Sequence, residues 1–79
     1  MAYQEYVGVL NTLANTSGYS AAGAANIWAG TNNLETIGAL NVKAGTVGWE
    51  LAAVCNKIAG TNNLEAVDAL NQLAGNTLP

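Results

Sequence analysis

The chain has no histidine, one cysteine and two basic residues among its 79 positions, and each shortage removes a class of function. With Cys55 alone, no disulfide can staple the chain to itself. A zinc site of the usual Cys/His kind lacks ligands. Cys55 has no histidine to serve as its base, and it reads as a small core residue. Lys43 and Lys57 stand against five acids, for a net charge of −3. Nucleic acid calls for several cations to displace counterions, and an anionic membrane surface calls for a basic cluster, so neither partner is expected. No apolar run approaches the roughly 18 residues that would span a bilayer. The opening "MAYQEY" has no basic segment leading into an apolar stretch, so no signal peptide is expected. Charge of either sign is scarce, 9% against about 25% in a typical soluble domain. So sparsely charged a surface suits a protein packed against neighbours.

Alanine, glycine, threonine and eleven asparagines fill the space instead, and they recur in order. Asn11, Asn26, Asn41, Asn56 and Asn71 are spaced by fifteen residues, as are Ala14, Ala29, Ala44, Ala59 and Ala74. Gly30, Gly45, Gly60 and Gly75 follow those alanines, with Asn15 in the first copy, and Thr16, Thr31, Thr46 and Thr61 come next. Residues 1–79 thus form one repeat domain with units 1–14, 15–29, 30–44, 45–59 and 60–74 and a tail, 75–79. Tyr19 and Trp49 alternate with Leu34 and Leu64 at one unit position, which suggests a thirty-residue super-repeat.

Apolar steps of three and four residues, such as Ile37, Leu40 and Ala44, fit one short helix per unit. The spacing predicts an all-α fold with helices near 4–13, 20–29, 35–44, 50–59 and 65–74, packed as a compact α-solenoid or an orthogonal helical bundle. Glycine after the last alanine is the left-handed helix stop, and Asn15 is the substitution that conformation tolerates best. Gly18, Asn33, Gly48 and Asn63 mark a second positive-φ residue in each joint. Asn32 with Glu35, and Asn62 with Glu65, have capping-box spacing. Glu5, Glu35, Glu50 and Glu65 then fall in first turns, with Lys43 and Lys57 in last turns, complementing the helix dipole. Asp68 is left without a role.

Candidate chemistry is thin. "GTNN" before a helix resembles an anion cradle, but no Lys-Ser or Lys-Thr follows and a carboxylate does. The repeated acids sit on successive helix starts rather than in a facing pair. Asn15-Thr16-Ser17 forms a glycosylation sequon, which the repeat explains otherwise. The asparagine row is the main oddity, since asparagine is mediocre inside a helix. Either Asn26, Asn41 and Asn56 bond to adjoining joints beside Gly30, Gly45 and Gly60, or the row displays amides to a partner. The structural role is favoured, and the inner three are expected to matter more than Asn11 and Asn71, whose units have one neighbour each. Trp28 and Trp49 are core by default, and exposed aromatics would be interface anchors or a sugar platform, with Tyr19 the third candidate for an interface.

The run "ANIWAGTNNLETIGALNVKAGTVGWELAAVCNKIAGTNNLEAVDALNQLAG" resembles the short Ala/Gly/Asn-rich helical repeats of structural proteins of tailed bacteriophages, often modules of minor head or tail proteins. The resemblance covers units two to five; the usual joint there is "TTGL" or "TSGL", and two joints here read "TNNL". It implies a non-enzymatic virion structural protein without a cofactor, assembled in the host cytoplasm. Such a protein would act as a capsid decoration, minor capsid or tail component and pack against other virion proteins or copies of itself. The alternative is an adsorption module that binds a host-surface glycan.

Overall fold

A computed structural model describes residues 2–76. Five nine-residue helices follow one another: α1 (Tyr6–Ala14), α2 (Ala21–Ala29), α3 (Thr36–Ala44), α4 (Leu51–Ala59) and α5 (Ala66–Ala74). Among the described residues there is no strand, and no helix is long and apolar enough to cross a membrane. Each helix packs against its neighbour in the chain, and α1 packs against α5. The bundle is therefore a closed ring of five units, flattened to 33 × 28 × 13 Å.

Closure corrects one expectation. α1 and α5 each have two neighbours, so neither end unit is exposed in the manner of a solenoid cap. The ring's core is two residues deep from every helix. Val9 and Leu10, Ala24 and Ala25, Ala39 and Leu40, Val54 and Cys55, Ala69 and Leu70 are all fully buried. Each pair immediately precedes an asparagine of the row. Short helices have little stability alone, so burial of these five pairs, one from each unit, is what holds them.

The helix ends follow the repeat closely and the starts less so. α2 to α5 end at the expected alanines and begin one residue later than expected, while α1 covers 6–14 rather than 4–13. The place of the N-cap is the reason. Glu5, Glu35, Glu50 and Glu65 are themselves the N-cap residues, with extended backbone and no side-chain cap bond. They stand just before the first turn rather than in it, and Asn32 and Asn62 are exposed joint residues. Ser20 holds the equivalent place before α2 and does cap, accepting from the Gly23 N–H at 3.0 Å. Serine is a good N-cap and glutamate is not.

At the other end every helix closes alike. Asn15, Gly30, Gly45, Gly60 and Gly75 have φ of 60, 72, 72, 70 and 80°. The next residue's N–H reaches back five residues to the asparagine carbonyl, as from Thr31 to Asn26 at 2.9 Å. This is the Schellman stop. Gly18, Asn33, Gly48 and Asn63 supply the second positive-φ residue, at 62 to 77°.

Candidate functional site

The asparagine row lies inside the ring wall, and each member uses its whole side-chain amide. The Asn26 amide nitrogen donates to the Ala22 carbonyl at 2.7 Å and to the Leu34 carbonyl at 2.8 Å. Its oxygen accepts from the Thr31 hydroxyl at 2.8 Å and the Leu34 N–H at 3.2 Å. An asparagine amide offers two donor hydrogens and two acceptor lone pairs, and here all four are engaged. Asn11, Asn41 and Asn56 repeat the set on Tyr19, Trp49 and Leu64. Each amide thus clamps the backbone of the residue eight positions on, just before the next helix. No buried side-chain nitrogen or oxygen among the described residues lacks a partner. The row has nothing left to offer a ligand.

Asn71 makes the same four bonds with different partners. Its amide takes the N–H and carbonyl of Gln4, at 2.9 and 2.8 Å, together with the Val67 carbonyl and the Asn76 side chain. Gln4 stands in the register of Tyr19, Leu34, Trp49 and Leu64, and Asn76 in that of the joint threonines. The fifth joint is therefore assembled from both ends of the chain. Asp68, the acid with no role in the repeat, accepts a hydrogen bond from the Tyr3 hydroxyl across this seam. That bond, then partial burial and the nearby acids, raise the Tyr3 hydroxyl to about 12.

Outside the wall, successive joints enclose a groove that recurs with a shift of fifteen residues. One lies between Tyr19 and Leu34, about 300 Å³; the next between Leu34 and Trp49, about 430 Å³; the third between Trp49 and Leu64, about 500 Å³. Each is floored by the asparagine and the start of a helix. Their chemistry differs at several register positions: Ala22, Ile37 and Ala52 occupy one, Asn33, Gly48 and Asn63 another, and two more bear on contact. Ile27 and Asn32 line the first groove, Val42 and Val47 the second, Lys57 and Asn62 the third. The middle groove is thus mostly apolar, with Leu34, Ile37, Val42, Val47 and Trp49 around it and Asn41 and Thr46 as its polar members.

Val47 is the departure that matters. It is 92% exposed, at a position where the other joints carry Ser17, Asn32 and Asn62. Nothing in the ring rewards a β-branched apolar side chain there, and clustered exposed apolar groups mark contact surfaces. The aromatic residues divide. Tyr19 and Trp49 are exposed groove walls, whereas Trp28 is half-buried against the core with the Lys43 ammonium 4.9 Å from its ring centre, a cation–π contact. Cys55 is buried and its thiol is pushed up to about 11 by that burial, so it is a poor nucleophile near neutrality. Among the described residues no group of three or more Cys, Asp or Glu converges as a metal site would need. Trp49 is legible from the sequence as a candidate anchor. Val47 is not among the sequence candidates, although a polar-to-valine change within an otherwise regular joint is the signal for it.

Comparison with protein-family models, with curated proteins and with solved structures finds no match to this chain.

Proposed function

We propose that this is a non-enzymatic structural protein of a bacteriophage particle, a small capsid decoration, minor capsid or tail component that works by packing against other particle proteins. The observation that carries the reading is the apolar groove between Leu34 and Trp49, with Val47 and Trp49 (92% and 44% exposed) at its mouth. Interface cores favour aromatic residues and exclude charge, and this groove has one indole and no ionisable group along its wall. The low overall charge fits a surface that neighbours cover, and the resemblance of the repeat to phage structural modules supplies the particle.

The test joins location to surface. A mass-spectrometric inventory of purified particles should find the chain at a fixed stoichiometry, and Val47→Asn, which restores the joint consensus, should reduce incorporation while leaving the melting temperature unchanged. Absence from the particles, or undiminished incorporation of the variant, counts against the reading.

A second reading rests on the neighbouring groove, where Trp49 stands beside Glu50, Asn62 and Asn63. An aromatic face flanked by amides and a carboxylate is suitable for a sugar ring, so a host glycan is the alternative ligand. It draws on these groove residues and not on the asparagine row. Binding on a glycan array, lost in Trp49→Ala, would favour it.

A further inference from the structure

The seam shows what a groove of this ring holds when it is filled. A fourth groove lies there, of about 60 Å³, against 300 to 500 Å³ for the three open ones. Leu64, Asp68, Asn71, Gln72 and Asn76 line it, each thirty residues on from a lining residue of the middle groove. The remaining member is Tyr3, which across the seam holds the register of Gly48. Its hydroxyl donates to Asp68, which holds the register of Gly38. A phenol side chain thus spans this groove from one wall to the other, and little space is left. In the middle groove the same span runs between two glycines. A Cβ on Gly48 would meet nothing within 4 Å, and one on Gly38 would meet only the Leu34 Cβ, at 3.7 Å. The first and third grooves carry an amide there instead, with Asn33 and Asn63 in the place of Gly48.

We infer that the middle groove is a receptor for one phenylalanine side chain of another protein, seated as Tyr3 is seated at the seam. This rests on the reading of that groove as a contact surface and names what enters it. Trp49 gives the groove an indole wall, and aromatic rings gain from offset or edge-to-face pairing beyond the area they bury. Its other walls, Leu34, Ile37, Val42 and Val47, are aliphatic. A hydroxyl arriving where Asp68 takes that of Tyr3 would meet Gly38 in place of a carboxylate. The Asn41 amide on the floor is already engaged in four bonds. Burying a hydroxyl without a partner is unfavourable, so the groove selects phenylalanine over tyrosine. A second copy is not the source of the ring, because this chain contains no phenylalanine.

The test titrates the full chain, isotope-labelled for NMR, with N-acetyl-phenylalaninamide, N-acetyl-tyrosinamide and N-acetyl-leucinamide. The phenylalanine probe should shift the Trp49 indole N–H and the Ile37, Val42 and Val47 methyls saturably and leave the Trp28 indole in place. Its Kd should be on the order of mM, as suits a ligand of its size. It should bind about two- to tenfold tighter than the leucine probe, the gain of an aromatic pair. It should bind about fivefold or more tighter than the tyrosine probe. Gly38→Asp places the seam's acid in the middle groove and should reverse the order of phenylalanine and tyrosine. No saturable shift, a leucine probe that binds as tightly, or an unreversed order in folded Gly38→Asp would each overturn the proposal. So would the same shifts on concentrating the chain alone, which point to a second copy. The wild-type ranking decides if Gly38→Asp does not fold. Particle incorporation of Val47→Asn reads the contact surface separately: incorporation that depends on Val47, in a chain that binds no ring, sinks the ring and leaves the surface standing.

Discussion

Four joints of the ring are continuous chain and the fifth is not, yet the hydrogen bonding at all five is nearly the same. Asn41 clamps Trp49 across eight residues, and Asn71 clamps Gln4 across 67. The difference teaches where the ring's shape resides. It does not depend on connectivity, because the seam adopts the joint geometry without the covalent link. It lies in the buried amide, which satisfies the backbone just ahead of each helix and so fixes where the next helix begins. Connectivity decides instead what happens when the amide is lost.

Replacing Asn41 with Ala is the largest expected effect. The N–H and carbonyl of Trp49 lose their partner while the flanking chain keeps them in place, at about 1–3 kcal/mol for each buried group left unpaired. A loss of about 3 kcal/mol or more is a large share of what so small a core supplies, and denaturant melts should show it. Asn11→Ala should cost as much, since Tyr19 is held in the same way. Asn71→Ala should cost less, because residues 2–4 can swing out and take water as partner. There the Gln4 amide should lose its hydrogen-exchange protection. An equal loss at Asn41 and Asn71 would mean the seam is as obligatory as a covalent joint.

The glycine stops sharpen the comparison at a smaller scale. A Cβ on Gly45 meets nothing within 4 Å, so the cost of Gly45→Ala is that of the left-handed backbone alone, about 1 kcal/mol. Gly45→Asn should cost a fraction of that, as Asn15 already occupies the place at φ 60°. Inside helices the sign reverses. Gly38→Ala puts a methyl 3.7 Å from the Leu34 Cβ, ordinary contact, and should stabilise by about 0.5–1 kcal/mol. Gly23→Ala should gain less, because its methyl would crowd Ser20 Oγ and the Tyr19 ring, both at 3.2 Å. Thermal melts of the pair decide.

The smallest effect is confined to the seam. The Tyr3 hydroxyl is raised from 10.0 to about 12, chiefly by its bond to Asp68. A raised group contributes its stability in full below the unfolded value and loses it as pH rises through the folded one. The contribution is therefore complete below about pH 10 and fades by about pH 12. Tyr3→Phe should remove that alkaline dependence from the protection of the Gln4 amide and leave the other joints unchanged.

Much of this is legible in the sequence. The fifteen-residue step gives five helices, and the alanine–glycine junctions give the ends of α2 to α5. Glycine and asparagine at the joint's fourth position give its second left-handed residue. The starts of α2 to α5 slip by a residue because the residue expected to open each helix, Ser20 or a glutamate, is instead its extended N-cap, and the pattern Asn32–Glu35 imitates a capping box that the backbone does not form. Closure is harder to see. Whether five equal joints bring the chain back on itself depends on the angle each one turns, which no periodicity encodes. The trace it leaves is local: Gln4 and Glu5 keep the repeat's register ahead of the first helix, and Asn76 replaces a threonine. The apolar groove has a sequence signal in Val47, but a single valine carries little weight until its neighbours Leu34, Ile37, Val42 and Trp49 are seen around it.

The buried pairs of the core have one more consequence. Odd units place Leu10, Leu40 and Leu70 where even units place Ala25 and Cys55, so large and small alternate around the wall. An alternating sequence can close on itself without fault only in an even-numbered circle, and this circle has five members. Somewhere two large members must be adjacent, and α5 and α1, bearing Leu70 and Leu10, are those two. The fault in parity coincides with the place where the chain is discontinuous. A ring grown by copying thirty-residue pairs would never meet it; one whose count is set by how far each joint turns must put it somewhere, and here it lies where no peptide bond has to cross it.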